Sequence, residues 1–485
     1  MQSASSATAE DGLWSPKRRV LSGGLVLTIT LVAFEALAVS TVLPIVAKEL
    51  GGKELYGWVF TAFFLGSLIG IAVVGGTVDR GALGRPFALG LGLFGLGLLI
   101  GGLAPTMEVL IVARFIQGLG AGTIPPIAYV AIGRSLPESL RPRMFATLST
   151  AWILPGVIGP AVAGLVGETL GWRYVFLGLL PFIAVAGVLT HHAIAAVRVP
   201  ETTAAQEALA GNAGRRRLPS ALLVSFGAGL FMAGLTTGEP VLTVVLVGLG
   251  LIAGIPALLR LTPAGTLTAR PVLPAAVLLR GILTCTFFGV DAYVTLALED
   301  GRGLSAIAAG VVLTAATLSW TAGSWTQARN SERWPTRSFV RAGFVVVIVG
   351  LALFSLILLP DVPVWLAAPT FAVAGYGMGL AYAPLALIVL REAPTESQGT
   401  ASSALSLMDT LGTAVGTGVS GAIVAASLRS SGEVGPGLAV AFVVAIAVGF
   451  GGLATTGRLR ARRAAASVVD PGPSRVDPSA PPAAG

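Results

Sequence analysis

Polar and apolar positions alternate on a long scale along this chain. Apolar stretches at about 21–46, 56–78, 86–104, 107–132, 144–168, 174–197, 219–237, 240–260, 280–298, 304–327, 338–359, 364–391, 399–428 and 436–456 are separated by short polar or basic segments. Most are close to the length, about 20 residues, that an α-helix needs to cross a hydrocarbon core. Barrel strands would show alternation over about 10 residues instead. The pattern predicts an all-α membrane protein with fourteen spanning helices.

The longest internal polar stretch, with Glu201, Glu207 and Arg215 to Arg217, follows the sixth apolar run and marks a seam. The expected organisation is a tail at 1–19, a six-helix half at 20–198, a loop at 199–218, a two-helix hairpin at 219–260, a second six-helix half at 261–456 and a disordered tail at 457–485. A weak repeat supports two halves. Trp152, Pro155, Gly159 and Gly164 in the fifth run stand at the same offsets as Asp409, Gly412, Gly416 and Gly421 in the thirteenth. Transporters built from parallel repeats carry their substrate path between the repeats.

Composition sharpens this picture. Of 485 residues, 54% are hydrophobic and only 11% are charged, against about 25% charged in soluble domains. The net charge of +8 does not indicate nucleic-acid binding. The basic residues sit between apolar runs, and loops on the side of the N-terminus hold most of them, including Arg134, Arg141, Arg143, Arg260, Arg270, Arg329, Arg333 and Arg337. The opposite side holds Lys48, Lys53, Arg173, Arg302 and Arg429. By the positive-inside rule both termini are cytoplasmic, in a multi-pass protein of the plasma (inner) membrane. One cysteine, Cys285, excludes an internal disulfide, and no metal cluster or GxxxxGK[ST] phosphate loop is present in the sequence.

Ionisable groups inside hydrocarbon cost several kcal/mol and are functional candidates by default. Glu35, Arg114, Asp291 and Asp409 are the four so placed. Glu35 is expected to hold a coupling proton, with Arg114 as the nearby cation that tunes it, and Gln117 to hydrogen-bond in the same bundle. Asp291 and Asp409, with Phe34, Gln117, Tyr293 and Tyr376, are the candidate cavity residues. Aromatic walls with a carboxylate suit lipophilic cations.

Three stretches resemble the major facilitator superfamily, particularly its drug:proton antiporter branch with fourteen spans: RFIQGLGAG from Arg114, WILPGVIGPAVAG from Trp152, and GTVDRGALGRP from Gly76. The resemblance implies a major facilitator fold with two extra central helices. It implies gating roles for Gly76, Asp79, Arg80, Gly84 and Arg85 in the loop, where charge pairs would lock helix ends. Trp152, Pro155, Gly159, Pro160 and Gly164 would form a bent, tightly packed fifth helix typical of exporters. The expected function is proton-coupled export of lipophilic cationic or neutral compounds by alternating access, by a monomer with no cofactor beyond the proton gradient and no enzymatic activity. The alternative is export or flipping of an endogenous lipid or secondary metabolite.

Overall fold

A computed structural model describes residues 12–16, 18–51, 55–79, 83–195, 197, 204–304 and 306–460. The described residues contain helices and no strand. That is what continuous apolar runs require, because a helix satisfies its own backbone groups where water is absent.

The helices before the seam are α1 (Arg19–Leu50), α2 (Tyr56–Val78), α3 (Gly84–Gly102), α4 (Met107–Ala121), α5 (Ile124–Ser135), α6 (Arg141–Thr150), α7 (Ile153–Val166), α8 (Arg173–Leu177) and α9 (Leu179–Ala195). A hairpin follows, α10 (Ala204–Thr236) and α11 (Pro240–Leu261). The remaining helices are α12 (Leu273–Asp291), α13 (Val294–Glu299), α14 (Ala306–Asn330), α15 (Thr336–Ser355), α16 (Ala367–Glu392), α17 (Gln398–Ser431) and α18 (Gly435–Thr455). Below, α1 to α9 are termed the first half and α12 to α18 the second.

Several apolar runs are broken by the chemistry of their own sequence. The fourth run splits into α4 and α5 just before Pro125 and Pro126. The fifth splits at Ala151 and Trp152, just before Pro155, whose ring would clash with the carbonyl of Ala151. Pro160 stays inside α7, and a short π-helical turn at Gly167–Gly171 follows. The ninth run breaks between α12 and α13 immediately after Asp291.

Thirteen helical segments among the described residues are long and apolar enough to cross a membrane. The segment missing from that set is the tenth run. It forms one continuous 25-residue helix, α14, but its second half carries Ser319, Thr321, Ser324, Thr326, Gln327 and Arg329. All of them except Arg329 are at least partly buried, and Thr321 and Ser324 bond to Ser149 of the first half.

Pairing repeats between the halves. α1 packs on α7 and α9, as α12 packs on α17 and α18; α4 packs on α2 and α3, as α16 packs on α14 and α15. The hairpin lies against α2 and α17, fastened by a 3.0 Å hydrogen bond from Ser225 to the carbonyl of Leu65. Its outer helix α11 leaves Val241, Val244 and Ile252 exposed, as lipid-facing residues are.

Candidate functional site

The sequence-predicted Glu35 and Arg114 meet. Glu35 comes from the middle of α1 and Arg114 from α4, and their side chains are 0% and 3% exposed. Arg114 Nη1 donates to Glu35 Oε1 and, at 2.5 Å, to Oε1 of Gln117, one turn along its own helix. Its Nε donates to the carbonyl of Val59 at 3.5 Å, and its guanidinium lies 4.3 Å from the Phe63 ring centre. Two buried atoms, Glu35 Oε2 and Gln117 Nε2, have no hydrogen-bond partner.

Small residues make this meeting possible. Gly118 and Gly122 face α2, where an added methyl would run into the carbonyl oxygens of Phe63 and Ser67, and Gly120 faces α3 at the carbonyl of Gly90. The RFIQGLGAG stretch thus seats α4 between two neighbours at backbone contact.

A second pair occupies the other half, and half of it is a residue that sequence reasoning missed. Arg280, assigned to the edge of an apolar run, lies inside α12 and is 1% exposed. Its Nε is 3.8 Å from Asp409 Oδ1 on α17, and its guanidinium stacks 3.5 Å from the ring centre of Tyr382 on α16. The hydroxyl of Tyr382 donates to Asp409 Oδ2 at 2.9 Å. Tyr129 from α5 of the first half stands beside Arg280 and Tyr382. Trp320 packs edge-on to Tyr382 at 5.3 Å. The signal for Arg280 was available: Ala275 to Leu279 on one side and Gly281 to Leu283 on the other are apolar, so it belongs with the intramembrane charges and not with the loops.

The other predicted cavity residues do not join this cluster directly. Asp291 is half-buried at the end of α12 and makes no hydrogen bond or ion pair among the described residues. Tyr293 donates to the carbonyl of Thr417 at 3.0 Å, fixing the α12–α13 break to α17. Tyr376 donates to Thr326 Oγ1 at 3.0 Å, tying α16 to α14. Phe34, on α1, is half-buried against Gly159 of α7.

The fifth-helix motif is looser than the sequence suggests. A methyl at Gly156, Gly159 or Gly164 would meet its nearest neighbour at 3.6, 3.7 or 3.8 Å, ordinary van der Waals separation. Trp152 is 44% exposed, whereas Pro155 is buried. The tight counterpart is in the second half. Gly412 and Gly416 of α17 press on the carbonyls of Gly281 and Cys285 of α12.

The loop motif also differs from expectation. Gly76 is buried in the last turn of α2, and Gly84 starts α3 against Ala195 and His191. Arg80 lies outside the described residues. Arg85 is exposed and has no ion pair among them. Asp79 reaches across to the other half: it accepts from the backbone N–H groups of Gly399 at 2.5 Å and Thr400 at 3.0 Å, and from the Thr400 hydroxyl at 2.5 Å. Burial pushes its carboxyl above the ordinary value, and these bonds pull it partly back.

Further contacts join the halves towards the same, basic side. Ser149 meets Ser324 at 3.1 Å, Trp325 donates to Thr150 at 3.0 Å, and Arg391 pairs with Glu138 at 3.6 Å. On the opposite side Glu49 receives Arg173 and, at 3.0 Å, the Trp172 indole. The Arg173 guanidinium holds the Glu49 carboxyl below its ordinary value.

Paired helical halves in a membrane, with buried ion pairs between helices, define a multi-pass membrane transporter. The chain belongs to the Major Facilitator Superfamily, which it matches over residues 25–417. It is 29% identical over 466 residues to a Mycobacterium tuberculosis (strain ATCC 25618 / H37Rv) protein named "Probable multidrug-efflux transporter", covering 89% of this chain and 92% of that one. It is 28% identical to the drug efflux pump JefA of the same organism (86% and 82% covered) and 28% identical to the methylenomycin A resistance protein of Streptomyces coelicolor (85% and 86% covered). Among solved structures, the human organic anion transporter MFSD10 superposes with a TM-score of 0.66 at 12% identity, covering 91% of this chain and 99% of that one. A bacterial homologue of the iron transporter ferroportin gives 0.65 at 13% identity, covering 90% and 98%. At such identities these structures speak to the fold alone.

Proposed function

We propose that this chain is a multidrug-efflux transporter of the fourteen-span drug:proton antiporter branch, exporting lipophilic cationic or neutral compounds in exchange for protons. Relatives named for drug efflux and antibiotic resistance align with it almost end to end, which supports the export reading. The 25 residues of α14 span about 37 Å, more than a bilayer core, and support counting it as a fourteenth crossing.

The observation that carries proton coupling is the buried Glu35–Arg114–Gln117 group with its unpartnered Glu35 oxygen. Glu35 loads a proton when the path opens to the outside. Opening to the inside releases it and admits substrate. Asp291 and Asp409, with the aromatic residues around the second pair, line the substrate path between the halves. Asp79, Gly76 and Gly84 govern closure on the basic side, where the contacts between halves support a conformation sealed there. That side is the cytoplasm, the termini are cytoplasmic, the membrane is the plasma membrane and the unit is a monomer. Residues 20–198 and 261–456 form the two halves, with 219–260 as the added hairpin. The energy source is the proton gradient, without a cofactor.

The test is Glu35→Gln in inverted membrane vesicles. Proton-driven accumulation of ethidium should fall at least about tenfold, as expected when an essential proton-transferring group is removed. Substrate-induced proton release by the detergent-purified protein should vanish with it. Undiminished gradient-driven accumulation in the variant would remove Glu35 from the mechanism.

A further inference from the structure

A cavity of about 670 Å³ opens at the basic end of the second half, between the start of α15 and the end of α18. Arg337, Ser338, Arg341 and Arg460 form its polar wall, and Phe450 and Leu453 its apolar one. None of the residues lining it is acidic. Arg337 and Arg341 are four residues apart, so they share one face of α15. A second groove of about 370 Å³ shares Ser338 and Arg341 and continues along α15 past Ala342, Val345 and Val346. Neither hollow touches the two buried ion pairs.

We infer that this continuous surface seats one anionic phospholipid of the surrounding bilayer. The guanidinium groups of Arg337, Arg341 and Arg460 take the phosphate, and the groove beyond Arg341 takes an acyl chain. The geometry suits that occupant in three respects. Arg341 and Val345 are one helical turn apart, about 6 Å along the axis, so charge gives way to apolar surface over the distance at which a headgroup gives way to its chains. The exposed Val345 and Phe450 face the lipid side and offer nothing to a water-soluble anion. Basic pockets between helices near the membrane surface attract anionic headgroups, with each Arg contributing about a fivefold preference. Three guanidinium groups at the mouth exclude a lipophilic cation, so the cavity is separate from the proposed export path and does not depend on it.

Native mass spectrometry of the purified full chain, titrated with dioleoylphosphatidylglycerol or dioleoylphosphatidylcholine, tests the assignment. The wild type should bind the anionic lipid at least about tenfold more tightly. The variant Arg337→Gln, Arg341→Gln, Arg460→Gln should lose that preference. A control with equal charge loss elsewhere, Arg143→Gln, Arg260→Gln, Arg333→Gln, should keep it. Millimolar glycerol phosphate should leave the lipid in place. Absence of preference in the wild type, retention of preference in the pocket variant, or equal loss in the control would overturn the proposal. Displacement by glycerol phosphate would reassign the cavity to soluble phosphates and overturn the lipid reading.

Discussion

The two halves each hold an arginine–carboxylate pair in the membrane, and the pairs are built differently. Glu35 and Arg114 are both sealed, directly hydrogen-bonded, and supported by Gln117 and the Val59 carbonyl. In the second pair only Arg280 is sealed. Asp409 is 27% exposed although its Oδ1 is buried, that oxygen's approach to the guanidinium is 3.8 Å, and Asp409 Oδ1, Arg280 Nε and Arg280 Nη1 all lack hydrogen-bond partners. A charge stripped of water must find compensation in the protein, whereas a carboxylate at the edge of solvent keeps part of its hydration. The first pair is therefore closed off from water, and the second is partly open to it.

The largest expected effect breaks this contrast directly. Arg114→Met leaves Glu35 buried with no cation and should cost about 3–5 kcal/mol of stability. Arg280→Met leaves Asp409 partly hydrated and still bonded to Tyr382, and should cost about 1–3 kcal/mol. Thermal unfolding of both variants in the same detergent measures the order. Equal losses, or a larger loss for Arg280→Met, would mean that the long second pair is as strong as the first.

How much of this was readable beforehand depends on the reach of the signal. The apolar runs are local, and the helices follow them closely; the proline-linked breaks at Ala121–Ile124 and Ala151–Trp152 are local too. The break after Asp291 has no proline to announce it. Glu35 and Arg114 stand out because any ionisable group deep in hydrocarbon does. Arg280 is hidden because the ninth apolar run begins at residue 280, and its partners Asp409, Tyr382 and Tyr129 come from three helices whose packing no spacing encodes. Asp79 shows the same limit. Its basic neighbours in sequence suggested local pairing, but its bonds run to Gly399 and Thr400 at the start of α17, some 320 positions away.

Helix packing sharpens the comparison at the next level of effect. α17 meets α12 at backbone contact through Gly416, while α7 is looser on its neighbours: a methyl added at Gly156 would meet Thr317 of α14, across the two halves, at 3.6 Å. Gly416→Ala and Gly118→Ala should each destabilise by about 1–3 kcal/mol through overpacking. Gly156→Ala should stay within about 0.5 kcal/mol of the wild type, or gain slightly from helix propensity. Unfolding midpoints of the three variants decide the matter. A large loss at Gly156 would show that α7 closes tightly on its neighbours in a conformation other than this one, and the looseness of the fifth-helix motif would then belong to one state of the cycle.

The smallest effect concerns the seam itself. Asp79 is held by three donors from Gly399 and Thr400, yet burial raises its carboxyl above the ordinary 3.8. A raised value means that the sealed conformer holds the proton more tightly than a conformer with Asp79 in water. Sealing is therefore favoured at the acid end, weakens as pH rises from the ordinary value through the raised one, and is flat above it, with a slope of at most about 1.4 kcal/mol per pH unit. Arg134 and Arg217, which also act on Asp79, stay charged throughout and contribute no slope of their own. Spin labels at the exposed Thr77 and Glu396, on a Cys285→Ser background, read the α2–α17 separation. The sealed fraction should fall as pH is raised through that window. In Asp79→Asn the dependence should disappear, with sealing near the wild type's acid-end level at every pH, because an amide, like the protonated carboxyl, is neutral and accepts on one oxygen. A sealed fraction that grows with pH would mean that the three hydrogen bonds to the carboxylate outweigh its burial.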